Sequence, residues 1–231
     1  MKIRLMITKD HEVCFLSHLE YMKTIERAIK RAKLPVAYSE GFNPHMKFSL
    51  ASALGVGVSS HAEHCELELS EELDGEHVVQ ALCDALPRGI RVLKFDIADK
   101  KAAKLMASVQ AANYIVQFIQ NGEIGDPSAL IAAYNSLPQF PYEKKMPKNR
   151  GTKTIDIKEF VGDLSLESKD NRVYLGFSCK ITNEGSMKAT EIAHSLVELW
   201  NLPVDIDSIE ILRTDLYKFD KKGRRIELLD C

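Results

Sequence analysis

Tyr38-Ser39-Glu40-Gly41-Phe42-Asn43-Pro44-His45 brings a phenol, a hydroxyl, a carboxylate, an amide and an imidazole into one short run. A packed core needs none of these groups, whereas a binding or catalytic loop on a rigid strand uses several. Gly41 and Asn43-Pro44 mark a turn, so a strand over Val36–Ser39 is expected to give way to a loop there. Upstream lies Phe15-Leu16-Ser17-His18-Leu19-Glu20. Ser17 with Glu20 three residues on reads as a capping box opening a helix, which puts His18 on its first turn. Tyr38, Glu40, His18 and His45 are therefore the candidate catalytic residues, with general acid–base work as their chemistry. Simpler readings stand beside this one. Capping alone accounts for Ser17, and turn formation accounts for Glu40 and Asn43. A turn does not need an imidazole, so His45 is harder to explain structurally. In a split β-α-β fold, the start of the first helix and the end of the second strand are expected at one end of the sheet, which would bring His18 towards the Glu40–His45 loop.

The same residues carry a resemblance. Phe15-Leu16-Ser17-His18-Leu19, Glu26-Arg27-Ala28 and Leu34 through His45 resemble the radical-SAM-associated DUF2344 family, and Lys153–Ile157 resembles a shorter second block. The resemblance implies a setting beside, or fused to, a cobalamin-binding radical SAM protein, often near an RNase E/G-type ribonuclease and ribosomal protein genes. It implies no reaction. This chain has Met46 and Lys47 where family members usually carry proline and arginine. The positive charge is kept, but the bidentate fork of arginine is lost.

The elements that would hold these residues follow from periodicity. Ile3–Ile7 reads as a strand, then a helix runs to about Ala32 with Leu19, Met22, Ile25 and Ile29 on one apolar face. Val36–Ser39 and the alternating Cys65–Leu69 are strands. Asp74 opens a second helix carrying Val78, Leu82 and Leu86, and Ile90–Ile97 closes the series. That order is a split β-α-β, or ferredoxin-like, arrangement. After a linker over 99–111 the order is expected again: strand Tyr114–Phe118, a helix opened by Asp126-Pro127, strands Thr154–Phe160 and Val173–Cys179, a helix capped by Ser186, and strand Ile206–Thr214. The expected fold is α+β, two ferredoxin-like halves in tandem: 1–98, then 112–216, with a basic tail over 217–231. Phe140–Gly151 reads as a loop. One continuous α+β domain is the competing reading.

The chain has 231 residues, 45% of them hydrophobic and 28% charged, with a net charge of -2, so it is no general polycation. Its basic residues are clustered, however. Lys23, Arg27, Lys30 and Arg31 form a stripe on the first helix, opposite its apolar face, with Glu26 and Lys30 spaced as an i,i+4 pair. Lys144, Lys145, Lys148, Arg150 and Lys153 form a second group, and Lys218–Arg225 a third. Together with Asn43 and Lys47, the first two groups are the candidate RNA-binding residues, because local basic surface is what a phosphate backbone selects. No RNP aromatic motif, KH loop or Walker sequence is present. The 5 cysteines contain no Cys-x-x-Cys pair, which argues against a zinc ribbon or a cysteine-bound iron–sulfur cluster on this chain. His61, His64 and Cys65, with Glu63 and Glu66, match no standard zinc spacing. No metal and no cofactor is expected. No run approaches the ~20 apolar residues of a membrane span, and no signal-peptide pattern opens the chain, so no membrane association and a cytoplasmic location are expected.

The expected function is an RNA-binding or substrate-presenting partner of a radical SAM enzyme, acting on tRNA or rRNA. Two alternatives remain open: an acid–base RNA-processing enzyme using His18 and His45, and a purely protein-docking subunit.

Overall fold

Alternation builds the first strand. In Lys2–Lys9 (β1), Ile3, Leu5 and Ile7 are buried on one face. The computed structural model describes residues 1–145, 151–182 and 187–229. After β1 come α1 (His18–Arg31), β2 (Phe48–Leu50), β3 (Val58–Glu68), α2 (Gly75–Ala85), β4 (Val92–Ala98) and β5 (Ala111–Gln120). Then follow α3 (Pro127–Ser136), β6 (Pro141–Lys145), β7 (Thr152–Asp156), β8 (Val161–Lys169), β9 (Arg172–Lys180), α4 (Ala189–Leu199), β10 (Val204–Phe219) and β11 (Arg225–Glu227). This is a mixed α+β fold. The chain divides into two compact units: Met1–Gln110 with Arg213–Cys231, and Ala111–Leu212.

In the first unit the strand order is β4-β1-β3, with β2 and β10 also paired to β3. Both β3 and β4 run antiparallel to β1: Leu5 faces Cys65 on one side and Phe95 on the other. They are therefore parallel to each other, and α2 carries the chain between them across β1. Helices α1 and α2 supply Tyr21, Ile25, Ile29, Val78 and Leu82 to a core with Ile3, Leu5, Ile7, Cys65 and Leu67. Glycine at the start of α2 leaves room for Phe95, because a Cβ on Gly75 would lie 2.6 Å from that ring and force it to shift. In the second unit the order is β10-β5-β9-β8, with β5 and β8 each antiparallel to β9. Val116, Phe118, Val173, Leu175, Ile192 and Leu196 are buried there.

Several expectations change. Val36–Ser39 is no continuous strand; it makes only isolated bridges, Val36 to Leu69 and Tyr38 to Met46. The buried face of α1 is Tyr21, Ile25, Ala28 and Ile29, while Leu19 is exposed. Residues 99–110 are no free linker: Leu105 and Val109 are buried, and the carbonyls of Ala102 and Ala103 accept from Lys2 and Arg4. Pro141–Lys145 pairs with Thr152–Asp156 in a hairpin where a loop was expected, and the strand expected over Thr154–Phe160 stops at Asp156, gives way to a 3-10 turn over Ile157–Glu159, and leaves the pairing with β9 to β8. Lys218–Arg225 is no tail either, since it ends β10, turns, and begins β11. Ser186, the expected cap of α4, lies outside the described residues, and Lys188 holds the N-cap position with its N–H donating to Glu191 (3.0 Å).

Candidate nucleic-acid interface

Local hydrogen bonds shape the Tyr38–His45 run. The Ala37 N–H donates to the Glu68 carbonyl (2.9 Å), and the Glu68 N–H donates to the Lys47 carbonyl (2.9 Å). The Lys47 N–H in turn donates to the Ala37 carbonyl (2.8 Å). Both flanks are thus fastened to the end of β3, and residues 38–46 leave the sheet as a hairpin before β2 resumes the pairing. Inside the hairpin the Ser39 N–H donates to the His45 carbonyl (2.8 Å), and the His45 N–H donates to the Ser39 hydroxyl (2.9 Å). Gly41 has φ +120°, a conformation side-chain-bearing residues rarely adopt. The backbone is therefore specified, while the functional groups are not engaged. Glu40, Phe42, Asn43 and His45 are exposed, and Tyr38 is about half exposed. Among the described residues no hydrogen bond or ion pair engages the side chains of Tyr38, Glu40, Asn43 or His45.

His18 begins α1, as expected. Ser17 accepts from the Glu20 N–H (3.3 Å), and the Glu20 carboxylate accepts from the Ser17 N–H (2.9 Å). The register roots the two groups apart. Tyr21, one turn into α1, donates to the Thr8 carbonyl (2.7 Å) at the far end of β1. The hairpin leaves the sheet next to Leu69, which pairs with Met1 at the near end. Their roots are thus at opposite ends of β1, and no hydrogen bond joins His18 to Tyr38, Glu40 or His45.

The basic residues divide by environment. Lys23, Arg27 and Lys30 are exposed on α1 with no ion pair among the described residues, and Glu26 does not close on Lys30. Arg31 donates to the Ala85 carbonyl (2.7 Å), which ties α1 to α2. Lys47 pairs with Glu68 (3.1 Å) and Lys144 with Glu191 (3.1 Å). Lys153 is exposed. Lys148 and Arg150 lie outside the described residues, as does the side chain of Lys145. In the β10–β11 turn Arg224 pairs with Asp220, and Arg225 pairs with Asp215 and stacks over the Tyr217 ring.

Sequence reading missed a buried polar cluster at the His18 end of β1. Arg213 of β10 is fully buried and holds the buried Glu63 carboxylate through Nε (3.0 Å) and Nη2, with Ser52 on Nη1 (3.4 Å). Lys9, also buried, donates to the carbonyls of Cys14 (2.8 Å) and Gly55 (3.3 Å). Burial lowers its pKa, partly offset by the negative charge of Glu63. Burial likewise pushes the Tyr21 phenol up and the neighbouring His64 imidazole down. Nδ1 of His64 must carry its hydrogen, because it bonds the Ala62 carbonyl (3.0 Å), which only accepts. The alternation of β3 was the available signal: Glu63 shares a face with Cys65 and Leu67, so a carboxylate pointing into the core required a buried cation.

A family model described as an uncharacterized protein conserved in bacteria, DUF2344, matches residues 2–191. No curated protein matches. Among solved structures, a chain of a Cbf5-Nop10-Gar1 complex shares 11% identity at a TM-score of 0.51, over 95% of this chain and 50% of that one. The present chain thus spans about half the length of that relative, and the likeness is one of fold. An unknown protein from Galdieria sulphuraria aligns at 12% identity over 91% of this chain and 95% of that one, with a TM-score of 0.28.

Proposed function

The chain belongs to the DUF2344 family of uncharacterized bacterial proteins, and from that premise we propose that it is an RNA-binding partner that presents tRNA or rRNA to a radical SAM enzyme. The observation that carries the reading is the row of Lys23, Arg27 and Lys30 on α1: three exposed cations, on steps of four and three residues, none of them closed into an ion pair among the described residues. Unpaired cations lose little solvation when they meet a phosphate backbone, and the counterions they displace from it drive association. The partner class rests on the sequence resemblance. The strand orders β4-β1-β3-β2 and β10-β5-β9-β8 support reading each unit as ferredoxin-like. The acid–base alternative needs His18 and His45 at one site, and their roots at opposite ends of β1 favour the binding role.

The test is affinity for fractionated cellular RNA across a salt series. The parent is expected to lose affinity steeply as salt rises. K23E/R27E/K30E is expected to bind more weakly and to flatten the log–log slope by about two, since each single-strand phosphate contact contributes about 0.7. Binding that ignores both salt and the triple substitution would sink the RNA reading. Nuclease-resistant copurification with a radical SAM protein checks the partner.

A further inference from the structure

Phe42 sits at the turn of the 38–46 hairpin and is fully exposed. Nothing lies within 4 Å of the position a Cβ would take on its neighbour Gly41, so the turn packs against nothing there. A large aromatic ring in water gains nothing for folding, and placing one on a specified turn suits a contact made outside the chain. Three features point to what that contact is. The hairpin is tied at its base by the Ser39–His45 and Ala37–Lys47 bonds, so the ring is carried on an ordered backbone. Flanking groups are those that read the edge of a base: the Asn43 amide and the His45 imidazole are exposed and unengaged, and the Tyr38 ring is half exposed. Charge supplies the third. The C-terminal end of α1 leads through Leu34 directly to the bridge of Val36 with Leu69, where the hairpin is rooted. The Lys23–Arg27–Lys30 row therefore runs along α1 towards the hairpin's root.

We propose that the 38–46 hairpin is a base-stacking finger: Phe42 receives one unpaired nucleobase of a single-stranded RNA segment whose phosphates follow Lys23, Arg27 and Lys30. This deepens the RNA reading and rests on it. It narrows the substrate class to loops, bulges or single-stranded ends, because in a duplex no base is free to stack on a side chain. A ring face accepts any base, so Phe42 supplies affinity, and Asn43 and His45 supply the base preference.

The experiment uses the full chain with a single-stranded oligoribonucleotide of about ten nucleotides carrying 2-aminopurine, and a duplex of the same sequence. Parent protein is expected to bind the single strand more tightly and to quench the 2-aminopurine. F42A is expected to lose roughly tenfold or more on the single strand, with no quenching, an unchanged duplex affinity and an unchanged salt slope. F42W restores both affinity and quenching. Because the ring is exposed, F42A keeps the parent's unfolding midpoint. If F42A matches the parent while K23E/R27E/K30E fails on both probes, the finger is wrong and the RNA reading stands. Equal loss by F42A on single strand and duplex also overturns the finger. If the parent binds neither probe at any salt, both readings fall.

Discussion

At the residue scale the decisive pair is Arg213 with Glu63. Neither reaches water, and two nitrogens of one guanidinium donate to the same carboxylate oxygen, Oε1 of Glu63. Such a pair contributes little net stability, because desolvation offsets the attraction, but losing one partner strands a buried charge. Arg213→Met is therefore expected to destabilise the protein by roughly 3–5 kcal/mol in denaturant unfolding, and E63L/R213M to recover most of that. Equal losses in the single and the double variant would show that packing, not charge, is what Arg213 contributes. The capping box of Ser17 was legible in the sequence because it is local. Arg213 was not, because its partner stands 150 positions away in sequence.

At the scale of elements, the strand Val173–Cys179 was legible because its inward residues Val173, Leu175, Phe177 and Cys179 alternate over its whole length. Hairpin β6–β7 was legible only where β7 overlaps the strand read over Thr154–Phe160; β6 was missed, because the hairpin's residues are mostly exposed and no apolar period marks it. Strand 36–39 was legible only in part, because a turn inserted after Tyr38 diverts the chain before the pairing with β3 resumes at Phe48. The buried end of β9 also makes a pH prediction. Burial pushes the Cys179 thiol up to about 11 from its ordinary 9.0. Below 9.0 both folded and unfolded chains hold the thiol proton, and the strand is fully stable. Above it the unfolded chain releases the proton while the folded chain retains it, so stability falls between 9.0 and about 11. Thermal unfolding of Cys179→Ala should show a shallower decline across that window than the parent. An unchanged slope would mean that other groups dominate the alkaline loss.

For the whole molecule, the order of the expected elements suggested two similar halves in succession, yet the compact units are not successive. Residues 213–231 belong with 1–110, so the first unit is assembled from both ends of the chain. Nothing local announces this, because the contacts that decide it join distant segments. Arg213 reaches Glu63 and Ser52, Gln110 donates to the Tyr217 carbonyl, and Lys94 pairs with Glu227. The last segment also buries Leu216, Tyr217, Leu228 and Leu229. At about 1.5–3 kcal/mol for each large apolar side chain, its removal is comparable to the whole stability of an ordinary domain once the stranded Glu63 is added. A chain ending at Leu212 should therefore lose the first unit's fold, whereas a basic tail would be dispensable. Hydrogen exchange is the measurement: amides of β1, β3 and β4 should exchange freely in the truncated chain, while those of β5 and β9, which pair with each other over Ala111–Ile119 and Arg172–Lys180, stay protected. Protection of β1 and β3 at the full-length level would show that residues 213–231 are an appendage. Their loss together with β5 and β9 would show that the two units fold as one.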